Sequence, residues 1–385
     1  MKNILKVCRK SSRTILSLMS GTSHDGVDAV IARIVERNNQ LKVRLLFHCP
    51  HPFTGALRTK ILTAFSGTTK DICTLNFELG EVFADAALNC IKKAGLSPKD
   101  IDAIASHGQT VYHMPPEGRA GGSTLQIGES SVIAERTKIP VVSDFRTRDM
   151  AAGGHGAPLV PLADYILFHE EGAVKAVQNI GGIANLTVVP EKISKVMAFD
   201  TGPGMSLIDE AVKLLTNGRM HYDINGALAK KGKAIIPLLD ELLSHPYFKK
   251  HSPKSTGRET FGKTMVKEII TNYGNASVED ILSTLTMFTA LSIQRAYRDF
   301  VLPEFKVTEI ILCGGGCKNK FLLMLLKDLL APVMLMPVEK YGIPYKAKEA
   351  LSFAILANET LSGRAGNIQG ATGAKHPVIL GKITP

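Results

Sequence analysis

The sequence lacks any long hydrophobic run: nowhere do about 18 apolar residues follow one another, the length that a membrane-spanning helix needs. It also lacks the composition of a disordered protein, because 45% of its residues are hydrophobic and only 21% are charged. At 385 residues, the chain is long enough to bury two cores of ordinary size.

We expect no secretory signal in the first residues of the sequence. Five basic residues precede the first strand-like segment, and the only apolar run that follows them is Ile15–Met19. This run is shorter than the roughly 7–15 residues of a signal-peptide core, so we interpret it as the first β-strand. We therefore expect a cytoplasmic protein that does not bind a membrane.

Cysteine is scarce, with six residues spread through the chain. Small secreted domains that depend on disulfides are much richer in cysteine, so we expect reduced thiols here. Cys313 and Cys317 have a CxxxC spacing, but no second Cys/His pair completes the four ligands of a structural zinc site.

Aromatic residues make up only 6% of the sequence, tryptophan is absent, and the basic residues are scattered although the net charge is +11. A nucleic-acid-binding surface would collect its basic residues on one patch and interleave aromatic ones, so we expect no nucleic acid partner. A basic protein does suit an anionic nucleotide and an anionic small substrate.

One pattern occurs twice. Residues 14–34 contain an apolar strand, a polar glycine turn and a second strand, and residues 174–189 repeat this plan. Both segments are typical of β-hairpins whose turns expose hydroxyl groups and backbone N–H groups. Two such hairpins about 160 residues apart predict two similar domains.

Helix and strand patterns alternate through the rest of the chain, which predicts α/β domains with mixed sheets. The predicted helices cover residues 74–94, 205–216, 226–243, 278–300, 320–330 and 346–361, and the predicted strands cover 102–106, 139–143 and 309–312. The glycine-rich segment 151–158 is interpreted as a loop that leads to the second domain.

The turn of the first hairpin is a candidate phosphate-binding loop, because glycine and small polar residues let phosphate oxygens approach backbone donors. Its candidate ATP-binding residues are Gly21, Thr22, Ser23, His24, Asp25, Gly26, Val27 and Asp28. Asp25 or Asp28 is a candidate to hold Mg²⁺ through water. An ordinary hairpin turn is the alternative. Gly181 and Gly182 in the second hairpin are candidates for the opposing phosphate donors.

Two further segments contain several glycine residues. Gly314, Gly315 and Gly316 join a strand to a helix, which suits either close approach of the nucleotide or simply tight strand–helix packing. Residues 257–264 match the P-loop pattern, but a polar, proline-broken segment precedes them in place of a buried strand. We therefore reject a P-loop.

Asp200 follows an apolar run, where it suits either a catalytic base or the cap of the next helix. Asp144, Arg146, Arg148 and Asp149 form a charged cluster that suits either an anionic sugar or a structural ion-pair network. His107 and His113 have no partners at metal-ligand spacing, and we interpret them as polar histidines with satisfied hydrogen bonds.

Taken together, these motifs resemble the anhydro-N-acetylmuramic acid kinase family across nearly the whole chain. The matching segments are Met19–Asp28, Ser106–Thr110, Asp144–Asp149, Ala151–Pro161, Asn179–Gly182, Asp200–Gly204, Lys254–Glu259, Cys313–Gly316 and Gly342–Pro344. Two positions depart from the family pattern: His24 stands where leucine is common, and Met205 stands where asparagine usually follows Gly-Pro-Gly.

The resemblance implies two ribonuclease H-like (actin-like ATPase) domains with an interdomain cleft and ATP between them. We expect an N-terminal domain at 1–160, a C-terminal domain at 161–345, and a final helix and tail at 346–385 that pack back onto the first domain. A homodimer is also implied.

The implied reaction uses ATP and Mg²⁺. Water opens the 1,6-anhydro bond of the sugar while O6 takes the γ-phosphoryl group, which gives N-acetylmuramic acid 6-phosphate in cell-wall recycling. By resemblance, Asp200 activates the water and Glu349 assists, and Arg146 and Arg148 lie on the sugar side with Thr110 nearby. Two alternatives remain open: a kinase for another amino sugar, and an actin-like nucleotide sensor without a sugar site.

Overall fold

The computed structural model describes residues 4–21, 24–38, 40–116 and 121–385. The strands are β1 (Ser12–Met19), β2 (Gly26–Arg37), β3 (Gln40–Pro52), β4 (Ala103–Met114), β5 (Ser123–Ile127), β6 (Val141–Ser143), β7 (Lys175–Ile180), β8 (Ile183–Val189), β9 (Met197–Pro203), β10 (Glu309–Cys313), β11 (Met334–Pro337) and β12 (Lys382–Thr384). The α-helices are α1 (Ile4–Cys8), α2 (Gly55–Ala64), α3 (Thr69–Lys93), α4 (Ser130–Thr137), α5 (Thr147–Ala151), α6 (Pro161–Phe168), α7 (Ser206–Leu215), α8 (Ile236–Leu243), α9 (Lys263–Tyr273), α10 (Val278–Ala296), α11 (Lys320–Leu329), α12 (Ala347–Leu361) and α13 (Gln369–Thr372).

The chain forms two compact units. The first consists of Met1–Leu167 together with Gly342–Pro385, and the second consists of Phe168–Tyr341. Each unit has its own sheet, and each sheet has helices packed on it.

The sheet of the first unit has the order β12-β6-β4-β1-β2-β3, with β5 paired to β4. Strands β1, β2 and β3 form an antiparallel meander, and β4 then pairs in parallel with both β1 and β6. Strand β1 is buried from Arg13 to Met19, as expected for a central strand covered on both faces.

The sheet of the second unit repeats this plan, with the order β11-β10-β7-β8-β9. Strands β7, β8 and β9 are antiparallel, whereas β10 pairs in parallel with β7 and β11. The two hairpins that the sequence shows as a repeat are therefore equivalent elements of two sheets. The predicted fold class, α/β with two ribonuclease H-like domains, is confirmed.

Helix α12 returns the chain to the sheet of the first unit, where it packs on β1, β2 and β4. Alanine residues at 350, 354 and 357 are fully buried, which allows close approach to the strands, and Phe353 fills the remaining space. Glu349 therefore stands in the first turn of a helix that is held rigidly.

Several predicted elements differ in extent from the structure. The helix predicted at 226–243 is α-helical only from Ile236, and Pro237 stands in its first turn, where proline is tolerated because the missing N–H has no intrahelical partner there. Before it, Gly232 passes so close to α10 that a Cβ there would clash with the Glu279 oxygen. Strand β4 continues through Thr110 instead of ending at Ser106, and β9 continues through Asp200 to Pro203.

The long edge strand β3 and helices α2 and α9 were not predicted from the sequence. Within the described residues, no helix is long and apolar enough to cross a membrane. All six cysteines are free thiols, as the sequence predicts.

Candidate active site

The glycine turn of the first unit is tied to the neighbouring strand by side chains. Ser20 Oγ donates to Gln109 Oε1 at 2.7 Å, and Gln109 Nε2 lies 3.1 Å from His24 Nδ1. The ring of His24 also packs edge-on against Phe65, with centroids 5.4 Å apart. Histidine at position 24 is thus accommodated by specific contacts and links the turn to β4.

The other candidate residues of this turn have different environments. Gly26 is required by β3, because a Cβ there would lie 2.5 Å from the His51 oxygen. Val27 is a core residue, Asp28 pairs with His48 at 2.8 Å, and Asp25 is exposed at the tip of the turn. The candidates Gly21 and Asp25 are therefore accessible to a ligand, whereas Thr22 and Ser23 lie outside the described residues.

Arg146 is held by two acceptors. Its Nη1 donates to the Gly156 oxygen at 2.7 Å, and its Nε and Nη2 donate to His107 Nε2 at 3.1 and 2.9 Å. His107 Nδ1 lies 2.9 Å from the Gly108 oxygen, which only accepts, so Nδ1 carries the proton and Nε2 is free to accept.

The protonation state of His107 suits this arrangement. Burial, together with the nearby charge of Arg146, lowers the pKa of His107 to about 3, so the ring is neutral at physiological pH. The prediction that His107 has satisfied hydrogen bonds is confirmed, and its role as the acceptor that orients Arg146 was not predicted. Arg148, by contrast, is exposed on α5.

Glu349 is accessible to solvent, yet protein surrounds it closely enough to perturb its ionisation. Desolvation and the charge of Asp28 raise the pKa of Glu349, while Lys348 and Arg146 act in the opposite direction. Lys348 itself is buried in an ion pair with Asp164 at 2.5 Å. Within the first unit, Glu349 therefore interacts electrostatically with both Asp28 and Arg146.

Thr110 follows His107 by three residues on β4. Its hydroxyl accepts from Gln126 Nε2 at 3.3 Å, and its carbonyl accepts from Gln109 Nε2 at 3.1 Å. Thr110 is partly exposed and so is available to a substrate.

Asp149, one member of the charged cluster, has a structural role and not a ligand-binding one. Its buried carboxylate accepts from the Gly156 N–H, from Asn367 Nδ2 and from Thr372 Oγ1, each at 2.8 Å. These bonds fix both the loop after α5 and the segment before the last strand. The carboxylate of Asp144, by contrast, pairs at the surface with Lys382, whose side chain is 72% exposed.

We expect Asp149→Asn to lower the free energy of unfolding by about 2–3 kcal/mol, since the new amide N–H₂ would face groups that themselves donate. Asp144→Asn is the matched control, because asparagine tolerates the positive φ of 57° at that position and only a surface ion pair is lost. The control should change stability by less than about 1 kcal/mol. Urea unfolding measures both, and equal effects would contradict the structural role of Asp149.

In the second unit, the Gly181–Gly182 turn is fixed through its carbonyl groups. The Gly181 oxygen accepts from the Met205 N–H at 2.8 Å, and the Gly182 oxygen accepts from the N–H groups of Gly204 and Ser206 at 2.9 and 3.0 Å. Among the described residues, no backbone group accepts from the N–H of Gly181 or Gly182. The turn is thus anchored on one side and offers donors on the other.

Methionine at position 205 is compatible with this anchoring. The bond to the Gly181 oxygen uses the main chain of Met205, and its side chain packs against both hydrophobic clusters of the second unit. Gly204, beside it, is required by the turn, because a Cβ there would lie 2.2 Å from the Gly181 oxygen.

Asp200 is placed within β9, opposite Asn185, and is not a helix cap. Its Oδ2 accepts from the Thr256 N–H at 2.9 Å, and its carbonyl accepts from the Tyr247 hydroxyl at 2.6 Å. Desolvation raises the pKa of Asp200 to about 7, and the Thr256 N–H only partly offsets this effect. A carboxylate with a pKa near neutrality is suited to general-base catalysis.

Lys254 is a neighbour of Asp200 in the structure. Its ammonium group lies over three aromatic rings. The distance to the ring centre is 4.2 Å for Phe300, 5.2 Å for Phe199 and 5.1 Å for Tyr247. Burial lowers the pKa of Lys254 to about 8, and its carbonyl accepts from the Asp200 N–H at 3.2 Å.

The P-loop interpretation of residues 257–264 is excluded by the fold. No strand occurs between Pro203 and Glu309, a stretch in which every residue is described, so no buried strand leads into this segment. Instead, the segment from Lys254 to Glu259 passes along Asp200. The sequence identifies this segment as a family motif but does not reveal this role.

The Gly314–Gly316 segment packs against the end of β7. A Cβ at Gly314 would lie 2.6 Å from the Ile180 oxygen, and one at Gly316 would lie 2.3 Å from the Ile180 side chain. Gly315 has open space around it. Two of the three glycines therefore serve strand–helix packing, and Gly315 alone is free to approach a ligand.

No group of three or more His, Cys, Asp or Glu side chains is placed to hold a metal ion within the parts of the chain that the structure describes.

Comparison with known proteins gives one consistent result. Residues 13–385 match the sequence family described as anhydro-N-acetylmuramic acid kinase. An anhydro-N-acetylmuramic acid kinase of Caldanaerobacter subterraneus subsp. tengcongensis is 48% identical over 395 aligned positions that cover 100% of both chains. One from Bacillus cereus strain AH187 is 45% identical and covers 96% of this chain and 98% of its own.

Similarity to solved structures is much lower. Component A of the (R)-2-hydroxyglutaryl-CoA dehydratase of Acidaminococcus fermentans is 13% identical with a TM-score of 0.44, over 91% of this chain and 99% of its own. This likeness does not bear on function, whereas the sequence relatives extend over the full length. The chain belongs to the anhydro-N-acetylmuramic acid kinase family.

Proposed function

We propose that this enzyme uses ATP to phosphorylate 1,6-anhydro-N-acetylmuramic acid while water opens the anhydro ring, which gives N-acetylmuramic acid 6-phosphate for cell-wall recycling. Family membership supports the reaction class. The observation that carries the mechanism is Asp200, a main-chain-anchored carboxylate with a pKa raised to about 7.

Asp200 acts as the general base. It accepts a proton from a water molecule whose oxygen forms a bond to C1 of the sugar, and the C1–O6 bond breaks as this occurs. The electron pair that O6 gains then attacks the γ-phosphorus of ATP, and the bond from that phosphorus to the ADP oxygen breaks. Asp200 only has to orient and partly deprotonate water, because phosphate captures the departing oxygen.

The first unit supplies the groups that recognise the sugar. Arg146 presents a planar guanidinium that suits the lactyl carboxylate, and His107 together with the Gly156 carbonyl holds it in one orientation. Thr110 adds a hydroxyl for a sugar oxygen. Glu349 assists as a second carboxylate, in a role that its raised pKa supports.

For the nucleotide, the second unit offers Gly181, Gly182 and Gly315, and the turn of the first unit offers Gly21. An exposed carboxylate at Asp25 fits Mg²⁺, which takes few protein ligands and keeps phosphate oxygens and water as the others. Bound Mg²⁺ would neutralise part of the phosphate charge.

The test is ADP release with ATP, Mg²⁺ and each of three sugars: 1,6-anhydro-N-acetylmuramic acid, N-acetylmuramic acid and N-acetylglucosamine. Turnover should be confined to the anhydro sugar, and product made in ¹⁸O-labelled water should carry the label at C1. Preferential turnover of an open sugar would indicate a general amino-sugar kinase, and ATP binding without turnover would indicate a nucleotide sensor.

A further inference from the structure

We propose that Arg258 binds a phosphate group of the nucleotide at the Gly181–Gly182 turn and so forms a phosphate-binding side chain of the second unit. This inference rests on the proposed function, because it assumes that the turn receives a nucleotide. It assigns a ligand contact to a segment whose resemblance to a P-loop is accidental.

The guanidinium of Arg258 lies directly over the turn. A Cβ added at Gly182 would be 3.2 Å from Nη2 of Arg258 and 3.4 Å from its Nε. A side chain at position 182 would have to displace the guanidinium, so glycine here lets the charge lie close to the backbone of the turn.

The guanidinium of Arg258 and the N–H groups of the Gly181–Gly182 turn can both donate hydrogen bonds to a ligand. The side chain of Arg258 is exposed, and among the described residues no backbone group accepts from the N–H of Gly181 or Gly182. A cation above a turn with free N–H groups is the arrangement that binds an anion, and a phosphate oxygen can accept from both at once.

Asp209 interacts electrostatically with Arg258. Its Oδ1 is buried without a hydrogen-bond partner among the described residues; desolvation raises the pKa of Asp209 to about 7, and the positive charge of Arg258 acts in the opposite direction. The two side chains form no ion pair, so the guanidinium donors stay available to a ligand.

The backbone of the segment explains why Arg258 takes this position. The Thr256 N–H binds the carboxylate of Asp200, and Phe261, whose N–H donates to the Gly257 oxygen at 3.0 Å, is fully buried. Arg258 stands between these two anchors. A phosphate bound there would lie beside the segment that anchors the base, as phosphoryl transfer requires.

Lys263 offers a matched control. A true P-loop would use Lys263 to bind phosphate, whereas here this residue is exposed at the first position of α9. Arg258 and Lys263 belong to the same eight-residue motif and carry the same charge, so the two variants separate a specific contact from a general loss of positive charge.

The experiment measures the affinity of the intact protein for ADP and for adenosine by calorimetry, in the wild type and in Arg258→Met, Arg258→Lys and Lys263→Met. We expect Arg258→Met to weaken ADP binding about 10- to 100-fold and to leave adenosine binding unchanged, since only the phosphate contact is lost. Arg258→Lys should retain part of the affinity, and Lys263→Met should bind ADP normally.

Equal affinity of the wild type and Arg258→Met for ADP would overturn the inference, as would an equal loss in Lys263→Met. A lower midpoint of thermal unfolding without a change in ADP affinity would show that Arg258 only balances Asp209. Because no sugar is used, a wild type that binds ADP but phosphorylates no sugar would refute the proposed function and leave the test of Arg258 intact.

Discussion

Replacing Asp200 by asparagine is expected to lower kcat for ADP release with 1,6-anhydro-N-acetylmuramic acid by about a thousandfold, because asparagine cannot accept the proton of the attacking water. The amide oxygen can still accept from the Thr256 N–H, so the turn and β9 should keep their positions. ATP affinity and the midpoint of thermal unfolding should therefore stay close to those of the wild type.

The pH dependence follows from the raised pKa of Asp200. The base acts in its ionised form, and burial raises its pKa to about 7. In the wild type, log kcat/KM should therefore rise with a slope of one up to about pH 7 and level off above it. A profile that is flat between pH 5 and 8, or a variant within tenfold of the wild type, would exclude Asp200 as the base.

Lys254 allows the assignment of this pKa to be checked. Its positive charge favours ionised Asp200, so Lys254→Met should move the acidic limb of the profile to higher pH. Lys249→Met is the control, because Lys249 is exposed in the same part of the chain and should leave the limb unchanged. A limb that does not move in Lys254→Met would assign the titration to another group.

The second large effect is expected at Arg146. Arg146→Met should raise KM for 1,6-anhydro-N-acetylmuramic acid about 100-fold, because a charged hydrogen-bonded contact with the lactyl carboxylate is lost. KM for ATP should change little. Initial rates at varied sugar and ATP concentrations separate the two constants.

Arg148→Met is the matched control for this prediction. Both arginines belong to the same short motif, but His107 and Gly156 hold Arg146 alone, while Arg148 is exposed and has no such acceptors among the described residues. Arg148→Met should therefore raise KM less than tenfold. In addition, 1,6-anhydro-N-acetylglucosamine lacks the lactyl group and should show little difference between the wild type and Arg146→Met; an equal loss with this sugar would exclude the carboxylate contact.

Much of the fold could be predicted from short-range patterns. The two glycine turns flanked by apolar strands predicted two similar sheets, and both sheets share a five-strand order, to which the first sheet adds β5 and β12. Helix periodicity correctly placed α10, α11 and α12, because each buries a long apolar face. The helix predicted at 226–243 begins only at Ile236, and Pro237 in its first turn is a start signal that hydrophobic periodicity alone does not show.

The sequence likewise predicted the residues of the candidate site but not the contacts between them. Asp200 and the glycine turns were identified because their residue types and neighbours carry a chemical signal in the sequence. The orientation of Arg146 by His107, 39 positions away, was not predicted, and neither was the anchoring of Asp200 by Thr256, 56 positions away. These contacts join residues that are distant along the chain, so spacing does not reveal them.

By itself, the sequence determined the fold class, the family and the residue types available for chemistry, because hydrophobic periodicity, glycine turns and ordered motifs are local properties of the chain. Only the tertiary structure decided which of two neighbouring carboxylates, Asp144 or Asp149, is buried and fully hydrogen-bonded, and which glycines serve packing and which leave a donor open. It also decided that the segment from Lys254 to Glu259 lies along Asp200. Burial and hydrogen-bond partners depend on which distant segments meet, and these properties set the pKa values and the free donors on which catalysis depends.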